Sequence, residues 1–442
     1  MDTLPLPPRP SLAQYKKRAK DLAAAANSKA GGAIRAWAAD WLATLANLRG
    51  EPITPFVQGS FDRAVGHIAE GVREKLVSTA AADLRFRLAD AQFLIALAHG
   101  FKNWVEFSTH VERLTRPNGD AFEMAADAVV GGDLSTLEAL VRGHPELIRA
   151  GSTRVHKATL LHYIAANGVE DFRQQTPPNA VAIARFLLEA DAEVDALADT
   201  YGGGRGQTTM NLLVSSAHPA QARLQCPLIE VLLDFGAAIN GLDDDGSPII
   251  TALVFGYGDA AETLARRGAR ADNILVAAAL GRQDLVKRFV VDAVTLAPDA
   301  RLIDTRWLRV PRDPQAHIEL ALVWAIKYTR MRVAEFLIQA GVDPAAKDND
   351  QMTALHWAAA TGMMDLIKVL LERGAPLEVK NRWGGTVLAS TAYFAIYQPV
   401  QGVDYPAVLE ALLDAGADVS AAAWAADDER IADVLRRHGA RP

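Results

Sequence analysis

The chain has 442 residues, half of them apolar, and a formal net charge of −7 at pH 7. That length allows a large buried core or two domains, and the acidic balance argues against a general nucleic-acid binder, which needs a basic footprint. The single cysteine, Cys226, excludes an intramolecular disulfide, the stretch 1–17 lacks an apolar secretory segment, and no apolar run reaches the roughly 18 residues of a membrane span, so a cytoplasmic location is expected.

Residues 1–115 read as helices. Ser11–Asn27 follows a Pro-rich lead with Ser11 placed as N-cap, and Gly32–Leu48 is rich in Ala and carries Trp37 and Trp41. Ser60–Ala80 alternates apolar and charged positions at helical spacing, and Leu84–Leu114 is broken at His99-Gly-Phe-Lys-Asn-Trp104. Lys16, Lys17, Arg18 and Lys20 read as a solvated helix face. Arg116-Pro-Asn-Gly-Asp120 is a turn. A helical module over 1–116 is therefore expected ahead of a second domain over 121–442.

From Ala121 onward one pattern recurs. Its clearest copy is Thr353–Asn381, TALHWAAATGMMDLIKVLLERGAPLEVKN, with a second at Thr159-Leu-Leu-His-Tyr-Ile-Ala-Ala-Asn-Gly168. Shorter pieces stand at Leu232–Ala237, Leu337–Gly341, Leu412–Ala417 and Leu435–Ala440. A turn, two short apolar helices and a Gly-Ala loop in about thirty residues form a unit that buries its apolar face only against its neighbours. Thr159 and Thr353 can cap the first helix of their copies, and Gly at the end of the second helix supplies a left-handed position.

These segments resemble the ankyrin repeat. The resemblance implies an all-α solenoid of helix-turn-helix pairs with hairpin fingers. His162 and His356 are then expected to hydrogen-bond between turns and repeats. Asn211 and Val323 replace that histidine, and Ser247-Pro-Ile-Ile keeps only the turn. The stretch before the repeats, with LADAQ and HGF-x-x-W, resembles a helical module found ahead of ankyrin repeats in bacterial proteins, and it is expected to cap the solenoid. The function implied is a protein-interaction scaffold or adaptor that docks a partner on the concave face. Self-association is a further possibility, and no cofactor or nucleic-acid partner is expected.

Insertions between first and second helices, at 169–179, 215–225 and 393–405, gather on one side, where they mark a binding edge. The last brings Tyr393, Tyr397 and Tyr405. A longer one at 292–314 carries Arg306, Trp307 and Arg309, residue types that dominate interface hot spots. The slot after the repeat histidine holds Tyr163, Trp324 and Trp357, with Trp383 on the next hairpin. These are the expected partner-binding residues, exposed as an aromatic stripe.

An enzyme or small-molecule receptor is the alternative. Asp171, Arg173, Tyr201, Arg205 and His218, with Glu170, would meet in a pocket under the second and third insertions. Against chemistry, the chain lacks HExxH, CxxC, GxSxG and GxxxxGK[ST] motifs, so no catalytic or metal residue is assigned. Gly202–Gly206 reads as a hairpin tip, since it lacks the lysine and the preceding strand of a phosphate loop.

Overall fold

The computed structural model describes residues 4–28, 30, 32–49, 55–81, 85–115, 120–202, 204–303, 305, 308, 310–425 and 428–440. The chain divides into two compact units, Met1–Ala238 and Ile239–Pro442. Almost all of its regular structure is helical.

The first unit opens with helices Leu12–Asn27, Ala33–Arg49, Pro55–Ala81, Leu88–Ala98 and Trp104–Leu114. Ser11 caps the first, its hydroxyl accepting the Gln14 N–H at 3.4 Å. The break at His99 is real. Asn103 caps the next helix by accepting the Glu106 N–H at 2.9 Å, and buried His99 turns Nδ1 to the Leu4 carbonyl at 2.8 Å. Leu22, Trp41, Val72, Ile95 and Phe107 form the shared core. Within the basic quartet, Arg18 is bonded to Asp40 and Thr44. The expected helix start at Leu84 and residues 116–119 of the turn lie outside the described residues.

Helix pairs follow: Ala121–Gly131 with Leu134–Gly143, the 3-10 helix Leu160–Ala165 with Ala180–Glu189, and Thr209–Leu213 with Gln225–Asp234. The first elements of these pairs pack side by side, and so do the second helices of the last two. Asp120, Asp133 and Thr208 cap their helices through side-chain oxygens. An antiparallel hairpin of β1 (Ala198–Thr200) and β2 (Gly204–Gln207) closes over the second pair. The hairpin-tip reading of Gly202–Gly206 matches it. Gly168 must be glycine: its φ is +71°, and a Cβ there would lie 2.6 Å from the Thr200 Cβ. Cys226 is half-buried.

In the second unit, first helices Ser247–Val254, Ile274–Ala279, Pro314–Lys327, Ala354–Ala360 and Val387–Tyr397 and the 3-10 helix Val419–Ala425 pack one against the next in chain order. Each is followed by a second helix, ending with Glu429–Arg437. Alanine at the inner positions (Ala277, Ala321, Ala358, Ala359) lets the helices approach, and Leu337, Leu370 and Leu412 fill the layer beneath; all are fully buried. The capping geometry read from Thr353 is present. Its hydroxyl accepts the His356 N–H at 3.4 Å, and His356 Nδ1 returns to the Thr353 hydroxyl at 2.8 Å. At the second copy, Thr159 N–H donates to His162 Nδ1 at 3.1 Å, and Nε2 faces the Gln207 carbonyl of the next finger at 3.2 Å.

Candidate partner-binding surface and buried charge cluster

Two arrangements of side chains stand out, one in each unit. The first is a run of aromatic rings on the last first helices of the second unit. Trp357 lies 6.2 Å from Phe394 between ring centroids, Phe394 lies 6.2 Å from Tyr393, and Tyr393 lies 5.0 Å from Tyr397. Tyr397 stacks on Trp424 at 6.4 Å and 12°. Tyr397 is 61% exposed and Trp424 47%, while Trp357 and Phe394 are half-buried. Tyr393 and Tyr397 share a face because they are one helical turn apart.

The run has a charged end. Lys327 sets its ammonium 4.9 Å from the Trp357 ring centroid, within cation–π reach. Burial holds that ammonium below the ordinary lysine range, against the pull of Asp348 and Asp350. Trp357 donates its indole N–H to Asp348 at 2.9 Å, which fixes the ring. The loop after Tyr397 is pinned by Tyr405, whose buried hydroxyl donates to the Ala360 carbonyl at 2.9 Å and accepts the Val400 N–H at 3.1 Å.

The second arrangement is a buried charge cluster in the first unit. Glu123 comes from a first helix, Arg154 and His156 from the loop before the next, and Glu170 and Arg173 from the 169–179 insertion. Arg154 donates to both Glu123 oxygens, at 3.1 Å through Nε and 2.7 Å through Nη2, and its Nε lies 3.3 Å from Glu170. Arg173 reaches Glu123 at 2.8 Å and Asp127 at 2.7 Å. His156 Nδ1 accepts the Ala158 N–H at 2.9 Å, so Nε2 carries the proton it gives to Glu170 at 2.9 Å. All but Asp127 are buried. Burial alone would raise the Glu170 carboxyl pKa, but the neighbouring His156 and Arg154 outweigh it and hold the group ionised. Glu123 is depressed likewise, with Arg154 and Arg173 overcoming its desolvation. Tyr163 packs against the cluster, with Arg173 5.7 Å from its ring, and Tyr201 stands edge-on to His156 at 5.5 Å.

Comparison with known proteins reads the repeats directly. The model of the family described as ankyrin repeats matches residues 274–382 and 322–423. The chain carries ankyrin repeats. Such repeats are, in general, protein–protein interaction modules. The chain is similar to ankyrin repeat and SOCS box protein 16 of Homo sapiens, 27% identical over 302 residues, 62% of this chain and 60% of that protein. It is also similar to serine/threonine-protein kinase 12 of Arabidopsis thaliana, 41% identical over 58 residues, 13% of each. It thus spans less than two thirds of the length of these relatives. Among solved structures, the human ASB11 ankyrin repeat domain aligns with a TM-score of 0.32 and 20% identity, covering 66% of this chain and 98% of that one.

Within the ankyrin repeats, the expected stripe needs correction. Trp324 is 2% exposed and Tyr163 fully buried. Trp324 sits on a helix flanked on both sides by other first helices, and Tyr163 is enclosed by Phe122, His156 and Arg173. Neither can anchor a partner. Trp357 keeps partial exposure, and Trp383 is exposed on its finger beside Arg382, 5.2 Å away, but no ring contact joins it to the run. Arg306, Trp307 and Arg309 lie outside the described residues. Sequence reasoning passed over Trp424 and, though it set the 393–405 insertion with Tyr393 and Tyr397 on a binding edge, did not join it to Trp357 as one run of rings. The one local signal was the i, i+4 spacing of the two tyrosines.

The alternative pocket divides. Arg173 and Tyr201 join the cluster, where the guanidinium is spent on carboxylates, while Asp171, Arg205 and His218 are exposed outside it. Among the described residues no group of three or more His, Cys, Asp or Glu is placed to hold a metal, and no helix is long and apolar enough to cross a membrane.

Proposed function

We propose that this chain is a protein-interaction adaptor that docks a segment of a partner protein along the rings Trp357, Phe394, Tyr393, Tyr397 and Trp424. The observation that carries this reading is the exposure of contiguous aromatic rings on consecutive ankyrin repeats. Tyr and Trp supply rigid, amphipathic contact area, and patches rich in them become interface anchors. The likeness to an ankyrin repeat and SOCS box protein fits an adaptor role. Trp383 with Arg382 would widen the surface, as would the finger bearing Arg306, Trp307 and Arg309. In this reading residues 1–116 form a bacterial-type helical module that caps the repeats of 121–442, and the protein works in the cytoplasm.

The test is site-specific photocrosslinking from position 397 of the full chain in native lysate, with position 77 on an exposed helix face as control. Specific adducts from 397, absent from 77 and lost in a folded Tyr393→Ser/Trp424→Ser variant, support docking on the rings. Adducts that are the same from both positions, or that survive the double variant, overturn it. Adducts to a second copy of the chain would make the surface a self-association interface instead.

A further inference from the structure

Along the aromatic run of the second unit, several donors are unused. The Trp357 indole N–H is taken by Asp348. The hydroxyls of Tyr393 and Tyr397, the indole N–H of Trp424 and the Lys327 ammonium make no hydrogen bond or ion pair among the described residues. Tyr393, Tyr397 and Trp424 are exposed. Lys327 is half-buried between the Trp357 and Tyr328 rings, 4.9 and 5.8 Å from their centroids, and its ammonium is not sealed from solvent. The surface thus joins ring faces to hydrogen-bond donors that await an acceptor.

A partner segment can be held as an added strand, as a helix in a groove, through an anionic group, or as a polyproline II stretch on aromatic rings. The described residues of the second unit form no sheet edge to extend, only isolated bridges such as Lys347 with Thr353. A helix bonds its own carbonyls, so it would cover these donors without answering them, which is unfavourable. An anionic group finds no surplus of positive charge: Asp348 and Asp350 pull on Lys327, and Arg382 donates to Asp350 at 2.9 Å. A polyproline II stretch has no internal hydrogen bonds and presents bare carbonyl oxygens. Its prolines lack the N–H that would need an acceptor here. Charge complementarity therefore matches donors on the run to carbonyl dipoles on an uncharged segment. The ring-to-ring steps measure 5.0 to 6.4 Å.

We propose that the docked segment is an uncharged, proline-rich stretch in the polyproline II conformation, at most about eight residues long at a rise of roughly 3.1 Å each. Its pyrrolidine rings lie on Tyr393, Tyr397 and Trp424, and its carbonyl oxygens accept from their free donors and from Lys327. This inference names the partner's chemistry and rests on the docking function proposed above.

The full chain is used to select from random peptides displayed on phage, with the folded Tyr393→Ser/Trp424→Ser variant as counter-selection. Peptides that bind wild type and not the variant should be enriched in proline and poor in charge. Against the strongest of them, Tyr397→Phe removes a hydroxyl and keeps the ring, and Lys327→Met removes the ammonium and keeps an apolar stem on Trp357. Each should weaken binding by about fivefold or more, the worth of one hydrogen bond. Ring-dependent peptides that lack proline, or that are enriched in Asp and Glu, overturn the proposal and leave the docking function standing. Unchanged affinity in both variants overturns it as well. If no peptide depends on the rings, the docking function falls and the proposal falls with it.

Discussion

The buried cluster around Glu170 and the aromatic run around Tyr397 use inserted residues in opposite ways. In the first unit the 169–179 insertion folds inward and delivers Glu170 and Arg173 to the interior, where every charge is answered by another. In the second unit the 393–405 insertion prolongs a first helix to Tyr397 and leaves Tyr393 and Tyr397 in solvent. An ankyrin insertion is therefore not a surface feature by default. Charge drawn inside can be kept only with partners, whereas a Tyr or Trp tolerates exposure at little cost and remains available to bind. The first region bears on stability, and the second is the surface that the proposed function assigns to recognition.

The largest effect should come from breaking the cluster. Glu170→Gln keeps the shape but leaves His156 without a carboxylate and Arg154 with Glu123 alone. Removing one member of a buried pair typically costs about 3–5 kcal/mol, so urea unfolding should show the first unit melting well before the second. An unchanged midpoint would mean that the charges are compensated otherwise and that the inward fold of the insertion is not what holds the unit.

Acid should act on the same region without mutation. His110 and His162 are both pushed down to about 4, by burial first. Each histidine binds its proton in the unfolded chain near pH 6.5 but in the folded chain only near 4, so the unfolded state holds more protons between those values and stability falls with pH there. At pH 5 the loss is about 2 kcal/mol per histidine, and stability is fully present above pH 6.5. Glu123 and Glu170, with depressed values, add a further loss as pH falls below the ordinary carboxylate range. The second unit holds one such histidine, His356, also lowered to about 4 by burial. Thermal midpoints at pH 7, 6 and 5 should therefore drop more steeply for the first unit, and parallel curves would break the contrast. A smaller effect, about 1–3 kcal/mol, is expected from Gly168→Ala, which forces a side chain into positive φ against Thr200; chemical denaturation measures it.

Much of the repeat was legible because its signals are local. Thr353 and His356 stand three residues apart and bond each other, whatever surrounds them. Ser11 and Asn103 announce helix starts by the same local chemistry. The candidate sites were legible only in part: Trp357 and the meeting of Glu170, Arg173 and Tyr201 were expected, and the rest was not, because burial and charge pairing are settled by distant chain. Trp324 lies on a helix of 14 residues covered by neighbours on both sides, so its slot holds core where the repeat pattern implies surface. Glu123 and Arg154 are 31 residues apart, Glu123 and Arg173 are 50, and no spacing rule links them. Trp424 sits in a 3-10 segment without the repeat's turn motif, and only the packing of that segment beside Val387–Tyr397 brings it to Tyr397.

The smallest effect on stability should come from the rings themselves. Tyr397→Ser and Trp424→Ser remove contacts that are largely solvent-facing, and such surface substitutions usually stay within about 0.5 kcal/mol. The unfolding midpoint of the double variant should match wild type while the photocrosslinks from position 393 disappear. A fall of several kcal/mol instead would mean that Tyr397 and Trp424 hold the terminal repeats together. The rings would then belong with the Glu170 cluster as structure, and the division between a stabilising interior and a recognising surface would fail at its second half.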